Sequence, residues 1–192
     1  MRRRRRVVED GHDYTIKETE RKLARRREEW ALEGNCWIYN DAAEYEEIWE
    51  DFFSQSKIKR LTLHIRQDGT LKSIPRVALQ HLLSLELFEV QHATLNTLGP
   101  YSFENVTTLS KILLARNSIE FLEHNAFADL PALSKLSLSA NQIRVINRHV
   151  FVRLPSLEKL YLDRNNITTI HDRAFQELDG LLELRLYINH IQ

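Results

Sequence analysis

The chain has 192 residues and balanced charge, with 27 basic and 27 acidic side chains. This length suits one domain of ordinary size, and the balance argues against a polycation that seeks nucleic acid. With 29 leucines but only 5 glycines and 4 prolines, a leucine-built core is expected. The single cysteine, Cys36, excludes an internal disulfide bond, and no apolar run reaches the ~18 residues that a membrane helix needs.

Residues 1–33 are strongly charged, with 11 basic and 8 acidic side chains. Ile16, Leu23 and Trp30 form only a thin apolar line, so we predict a basic tail that is disordered or marginally helical. The arginine run 2–6 matches a nucleic-acid or nuclear-localisation patch, but no folded binding module accompanies it, and the tail interpretation is favoured. The residues after this run are too polar for a signal peptide.

Residues 34–57 are predicted to cap the domain that follows. Asp41 and Glu44 have the spacing of a capping box, and apolar side chains recur at helical intervals up to Phe53. We therefore expect an amphipathic helix from Asp41 to Phe53 that covers one end of the core. The alternative is a helix that docks a partner through Trp49.

Residues 58–192 repeat a pattern of 24 residues, and such a period indicates a solenoid. In the copy LSKLSLSANQIRVINRHVFVRLPS, Leu136 and Leu138 alternate with Lys135 and Ser137, which predicts one short strand per copy. Stacked copies would pair these strands in parallel. The copies are 58–84, which is degenerate, 85–108, 109–132, 133–156, 157–180 and the incomplete 181–192.

The pattern LxxLxLxxNxIxxIxxxxFxxLxx resembles the leucine-rich repeats over residues 58–192. The 24-residue length is similar to the subclass common in extracellular animal proteins such as Toll-like receptors. The resemblance implies an α/β repeat solenoid: a right-handed horseshoe with a parallel sheet on its concave face and short irregular or 3₁₀ return segments. It also implies protein–protein recognition by a receptor ectodomain or a secreted immune or adhesion protein. The alternative is an intracellular scaffold or adaptor.

No catalytic, nucleotide-binding or metal-binding motif occurs, so no enzyme activity and no cofactor are expected. His124, His149 and His171 fall at staggered positions in successive copies. Because metal coordination demands close geometry, we favour solvated surface residues over a metal site.

Two sets of recurring residues are interpreted as structural. An amide side chain satisfies backbone groups where each strand turns into the core, which predicts a ladder of Asn117, Asn141, Asn165 and Asn189. The aromatic residue near the end of each copy predicts a stacked spine on the convex side, formed by Phe103, Phe127, Phe151 and Phe175.

Alternate strand residues are expected to line the concave face. Three lysines share one column across strands that lie about 4.8 Å apart, and tyrosine and arginine, which are common interface anchors, flank them. The predicted partner-binding residues are Lys111, Arg116, Lys135, Lys159, Tyr161, Asp163, Arg164, Arg185 and Tyr187. Their positive charge predicts an acidic protein ligand, and no nucleic acid is expected. The alternative is that the lysines only keep the face soluble.

Asn105-Val-Thr and Asn166-Ile-Thr are candidate N-glycosylation sites that the repeat alignment places at the surface. Residue 192 falls halfway through a copy, which predicts an uncovered edge. We expect either a fragment of a longer chain or an edge that pairs with another chain in an oligomer. A fragment favours an extracellular or receptor-ectodomain location, and genuine ends favour the cytoplasm.

Overall fold

The structure, a computed structural model, describes residues 6–9, 12–15, 32–38, 41–42, 49–50, 52, 55–66 and 69–191. The strands of these residues are β1 (Arg6–Glu9), β2 (His12–Thr15), β3 (Leu32–Ile38), β4 (Asp41–Ala42), β5 (Ile58–Ile65), β6 (Thr70–Leu71), β7 (Leu87–Gln91), β8 (Thr97–Leu98), β9 (Phe103–Glu104), β10 (Lys111–Leu113), β11 (Phe121–Leu122), β12 (Phe127–Ala128), β13 (Lys135–Ser137), β14 (Val145–Ile146), β15 (Phe151–Val152), β16 (Lys159–Tyr161), β17 (Thr169–Ile170) and β18 (Glu183–Arg185). The α-helix of the described residues is α1 (Arg76–His81), and no helix among them is long and apolar enough to cross a lipid bilayer.

Seven strands form one parallel sheet in the order β18-β16-β13-β10-β7-β5-β3. From β7 onward the neighbouring strands pair at the repeat offset, so that Lys111 lies beside Lys135 and Lys135 beside Lys159. Parallel strands need a crossover between them, and the return segments supply it. The predicted solenoid with a parallel sheet is confirmed, although the described residues contain little helix.

The core is filled by the inward side chains of successive turns. Ile112, Leu136 and Leu160 occupy equivalent strand positions and are fully buried, whereas the lysine before each of them faces outward. Complete burial of such a side chain contributes about 1.5–3 kcal/mol. The recurring apolar positions are therefore the main source of stability.

The ladder asparagines join adjacent turns through hydrogen bonds. Asn141 Oδ1 accepts from the backbone N–H groups of Asn117 and Ile119, at 2.9 and 3.1 Å. Its Nδ2 donates to the backbone carbonyls of Leu114 and Leu138, at 2.8 and 2.9 Å. Because Asn141 is only 7% exposed, its amide replaces water as the partner of these backbone groups.

The four spine phenylalanines stack on the side of the core opposite the seven-stranded sheet. Their ring centroids are 5.3, 5.7 and 6.1 Å apart from Phe103 through Phe127 and Phe151 to Phe175. The first three are buried, and Phe175 is half-buried. A second parallel sheet, β15-β12-β9, carries the buried rings and fixes their spacing.

Each turn bends through left-handed backbone at recurring positions 24 residues apart. Positive φ angles occur at His92, Arg116, Ala140, Arg164 and Ile188, at Tyr101, Asn125, His149 and Arg173, and at Asn105, Asp129 and Arg153. None of these corner residues is glycine, the residue that adopts this conformation most easily. Hydrogen bonds hold the corners instead: Arg116 N–H donates to the Ser139 carbonyl at 3.1 Å, for example.

The N-terminal segment is not the tail that the sequence predicts. β1 and β2 pair as an antiparallel hairpin, with Glu9 opposite His12. The residues between them in sequence are Asp10 and Gly11, a pair favoured in two-residue hairpin connections. The prediction of a disordered or marginally helical segment over 1–33 is therefore wrong for the described residues of that range.

The predicted helix from Asp41 to Phe53 is wrong at its start. Asp41 and Ala42 form β4, which pairs in parallel with β6, and β3 before it pairs in parallel with β5. Strands β3 and β4 thus pair with the neighbouring turn as the strands of later turns do. Hydrogen bonding to the neighbouring turn outweighs the helical spacing, because helix propensity is a weak preference that tertiary contacts override.

Two aromatic residues of the predicted cap belong to the core. Trp49 and Phe52 are 2% and 9% exposed, and their rings lie 5.9 Å apart. Helical geometry is described only at residues 49–50 and 52, in short 3₁₀ form. Residues 43–48 and Phe53, which complete the predicted helix, lie outside the described residues.

The degenerate copy 58–84 holds the short helix α1 in its return segment. Pro75 precedes the helix, where its missing N–H is not needed, and Ala78 and Leu79 bury their side chains in the core. This copy is longer than the others, and the extra residues give the return path room for a helical turn.

The last turn in the described residues exposes apolar side chains. Leu182 and Ile188 are 81% and 65% exposed, and no strand in the described part of the chain lies beyond β18. Within the described residues, β18 is thus the outer strand at this end of the sheet.

Candidate binding surface

Outward side chains of the seven-stranded sheet form three columns, which together make up the concave face. The first column is Glu33, Arg60, Leu87, Lys111, Lys135, Lys159 and Glu183. The second is Asn35, Thr62, Glu89, Leu113, Ser137, Tyr161 and Arg185. The third is Trp37, His64 and Gln91, followed after the next strands by Ala115, Ser139, Asp163 and Tyr187.

The three lysines of the first column form a row of like charge. Lys111 and Lys159 are exposed and Lys135 is half-buried. Within the described residues, no carboxylate oxygen lies within 4 Å of any of these ammonium groups. The row therefore presents unpaired positive charge to solvent.

Tyr161 is the centre of a cationic and aromatic cluster. Lys135 Nζ lies 5.0 Å and the Arg185 guanidinium 4.0 Å from the centroid of its ring. Both distances are within the range of cation–π attraction. The two cations reach the ring from the strands on either side, so the ring is already occupied by its neighbours.

The one acid of this cluster is neutralised inside it. Arg185 Nε donates to Glu183 Oε1 at 2.7 Å, and the Tyr161 hydroxyl donates to Glu183 Oε2 at 3.1 Å. The hydrogen bond from Arg185 holds the pKa of Glu183 below its usual range, and the Tyr161 hydroxyl lowers it further. Glu183 is therefore paired mainly within the cluster, and it attracts only the nearest lysine of the row, Lys159, which lies beside it in the sheet.

Asp163 does not lie on the accessible surface, so its predicted role in partner binding is wrong. It is 4% exposed and accepts a hydrogen bond from the Ser139 hydroxyl at 2.7 Å. It belongs to the third column and lies just before the left-handed corner at Arg164, where the chain turns towards the core. The carboxylate therefore has its hydrogen-bond partner inside the fold and is not available to a ligand.

The remaining predicted residues are accessible. Arg116 and Arg164 stand exposed on left-handed corners, and no carboxylate of the described chain lies within 4 Å of either guanidinium. Tyr187, in the third column, is 52% exposed. Six of the nine predicted residues thus lie accessible in the columns of the concave face, and Arg116 and Arg164 lie at the corners beside it.

Strand β3 adds a part of the concave face that the sequence analysis missed. Trp37 stacks on His64 with ring centroids 4.6 Å apart and an interplanar angle of 18°. His64 Nε2 lies 3.3 Å from Asn35 Oδ1, and the Arg60 guanidinium pairs with Glu33 at 2.9 Å. The alternation of Gly34, Cys36 and Ile38 with larger polar residues was the signal that could have found this strand.

The repeated segments match a known protein family. Residues 107–167 and 155–192 match the family described as leucine rich repeat. Residues 107–192 are leucine-rich repeats. No curated protein sequence matched it.

The leucine-rich-repeat solenoid is similar to a chain in the crystal structure of the TLR13–ssRNA13 complex. The TM-score is 0.68 at 24% sequence identity, over 82% of this chain. The match spans 21% of that other chain, so this chain corresponds to about a fifth of its length. The two share a fold, in which stacked repeats create an extended concave surface.

Both candidate glycosylation sites lie on the surface of the leucine-rich-repeat solenoid. Asn105 is exposed on a left-handed corner next to β9, far along the turn from the concave face. Asn166 is exposed directly after the ladder residue Asn165. Either side chain is free to carry a modification without disturbing the core.

The staggered histidines of the return side are exposed and separate. His149 Nδ1 lies 3.8 Å from Glu177 Oε1, which is an ion pair only when the imidazole is protonated. Among the described residues of the leucine-rich-repeat protein, no three His, Cys, Asp or Glu side chains are grouped to bind a metal ion.

Proposed function

We propose that this leucine-rich-repeat protein is a non-enzymatic recognition module that binds an acidic protein segment on its concave face. The row of Lys111, Lys135 and Lys159 carries this proposal. Like charges on neighbouring strands repel one another, and nothing in the core requires them. Their arrangement is useful when a partner supplies the opposite charge.

The acids close to the row are already occupied. Glu183 is held by Arg185, and Asp163 is buried beneath Ser139. Arg116 and Arg164 extend the unpaired positive charge beyond the strands. A face with this balance attracts an anionic partner by long-range steering and rejects a cationic one.

We propose a receptor ectodomain or a secreted recognition protein as the setting, with immunity or adhesion as its context. The type of repeat and the exposed Asn105 and Asn166 support this setting. The alternative is an intracellular scaffold or adaptor. Enzymatic removal of glycans from the protein isolated from its native cells separates the two, because only passage through the secretory pathway places glycans on these asparagines.

A second candidate ligand is single-stranded nucleic acid, since the similar fold was solved in a complex with ssRNA13. Proteins that bind single strands without sequence preference stack bases on open aromatic rings. Beside the lysine row, where the phosphates would bind, the Tyr161 ring is instead covered by Lys135 and Arg185. We therefore favour the acidic protein segment.

The proposal is tested with a fluorescent peptide of about ten glutamates, which spans about 33 Å when extended. Binding is followed by anisotropy at several salt concentrations. In the double variant Lys111→Glu and Lys159→Glu we expect about tenfold weaker binding, because reversing two exposed contacts changes the binding free energy by about 1.4 kcal/mol. The salt dependence should also become shallower.

The matched control reverses two exposed arginines of the return side, Arg148→Glu and Arg173→Glu, and so makes the same change in net charge. It should keep the wild-type affinity. Equal losses in both double variants would show that net charge alone drives binding and would refute a concave site. A single-stranded RNA that binds more tightly than the peptide, with the same dependence on Lys111 and Lys159, would favour the second candidate.

A further inference from the structure

We infer that the partner binds the concave face with two chemically different parts: an acidic part over the lysine row and an aromatic side chain against Trp37 and His64. This inference rests on the proposed function and deepens it. The first strands of the sheet and the later strands present different chemistry, although they belong to one continuous face.

Trp37 belongs to the concave face because of the alternation in β3. Cys36 packs against the core and Ile38 is buried in it, so Trp37 between them points outward. Its register partner in β5 is His64, whose partner in β7 is Gln91. The three side chains therefore continue the column that ends at Tyr187.

The stacked pair forms a preorganised platform. The two rings are nearly parallel at 4.6 Å, and the contact between His64 and Asn35 at 3.3 Å fixes the imidazole. Both rings are half-buried, so each keeps an exposed edge. A rigid aromatic surface loses little entropy on binding and is the kind of anchor that dominates interfaces.

Acidic side chains border the platform. Glu33 is paired with Arg60, whereas Glu89 keeps its negative charge, because the hydrogen bond that it accepts at 2.8 Å comes from the neutral amide Nε2 of Gln91. Burial lowers the pKa of His64, and the hydrogen bond with Gln91 offsets this only in part, so the imidazole is uncharged at neutral pH. This end of the face therefore suits an aromatic group, whereas the lysine row suits carboxylates.

The separation of the two regions fixes the spacing in the partner. Three strand steps lead from Trp37 to Lys111 and five lead to Lys159, and the first and third columns lie four residues apart along the strands. The combined separations are about 19 and 27 Å. An extended chain covers these distances with roughly six to eight residues. A peptide can therefore contact both regions when its acidic run and a single aromatic residue are separated by this number of residues.

The test compares three fluorescent peptides on the full chain: the glutamate run alone, the run with a tryptophan joined through a short Gly-Ser spacer, and the same peptide with alanine in place of tryptophan. With the wild-type protein we expect the tryptophan peptide to bind about tenfold more tightly than the alanine peptide. In Trp37→Leu this gain should vanish, while the dependence on salt stays unchanged.

Trp37→Phe keeps a ring and should retain part of the gain, and thermal melting shows which variants are folded. The inference is overturned if Trp37→Leu, folded as the wild type, retains the full gain. If the tryptophan adds nothing in the wild type while Lys111→Glu with Lys159→Glu still weakens binding, the inference fails and the proposed function stands. If no glutamate peptide binds, both fail.

Discussion

Replacing Asn141 with leucine should destabilise the solenoid without altering its binding face. The substitution keeps the number and branching of the side-chain heavy atoms but removes the acceptor of two backbone N–H groups, those of Asn117 and Ile119. Each buried donor left without a partner costs about 1–3 kcal/mol, so the two N–H groups together would lower the free energy of unfolding by about 2–6 kcal/mol. Because a buried leucine regains some apolar burial, we expect about 2–4 kcal/mol.

Asn189 is the matched comparison, since it has the same position in the last turn. Its Oδ1 accepts only from the Ile167 N–H, at 3.0 Å, and the side chain is half-buried. Water replaces the lost amide there, so Asn189→Leu should cost less than about 1 kcal/mol. Urea unfolding followed by circular dichroism measures both free energies of unfolding.

Equal losses at Asn141 and Asn189 would refute the reasoning, because burial would then not decide the energetic role of the ladder. A loss below about 0.5 kcal/mol at Asn141 would do the same. Binding of the glutamate peptide by the folded Asn141→Leu variant should match the wild type, since its amide faces the core.

Three other substitutions or reactions probe the same framework. Phe151→Ala removes a buried ring from the middle of the spine and should cost about 3–5 kcal/mol, whereas Phe175→Ala at its half-buried end should cost clearly less in the same urea assay. At Gly180 an added Cβ would meet a backbone oxygen of the preceding turn at 2.8 Å, so Gly180→Ala should cost about 1–3 kcal/mol. At Gly99 the added atom meets nothing within 4 Å, and a loss there as large as at Gly180 would contradict the packing. Burial raises the pKa of the Cys36 thiol from 9.0 to about 12. A thiol reagent should therefore label the native protein slowly up to about pH 9, and labelling should accelerate only when the protein unfolds. Rapid labelling of the native protein would show that the thiol is not buried.

The frame of the repeats was readable from the sequence because its apolar positions recur without gaps from Leu85 onward. That spacing alone determines which residues are neighbours across the sheet, and Lys111, Lys135 and Lys159 pair as their numbers predict. The strand β3 was missed because Gly34 and Cys36 take inward positions that leucine holds in later turns. Its alternation is therefore invisible to a search for leucine.

Two further features depend on tertiary structure that spacing does not reveal. Alternation places Asp163 outward, but the corner that follows turns the end of the strand inward, and Ser139 supplies the partner that makes burial of the carboxylate possible. The left-handed corners carry no glycine, so composition gives no sign of them. Hydrogen bonds to the next turn, such as that of Arg164 to Tyr187, impose the conformation.

The ladder asparagines also determine how the molecule comes apart. Asn189 donates to the carbonyl of Leu162 and accepts from the N–H of Ile167, and both of these groups belong to the turn before its own. When the turn that holds Asn189 unfolds, these two backbone groups of the neighbouring turn lose their hydrogen-bond partners. Asn165 has the same relation to Ile143 in the turn before it. The loss of one turn therefore lowers the cost of losing the turn beside it, so that unfolding spreads along the solenoid from turn to turn.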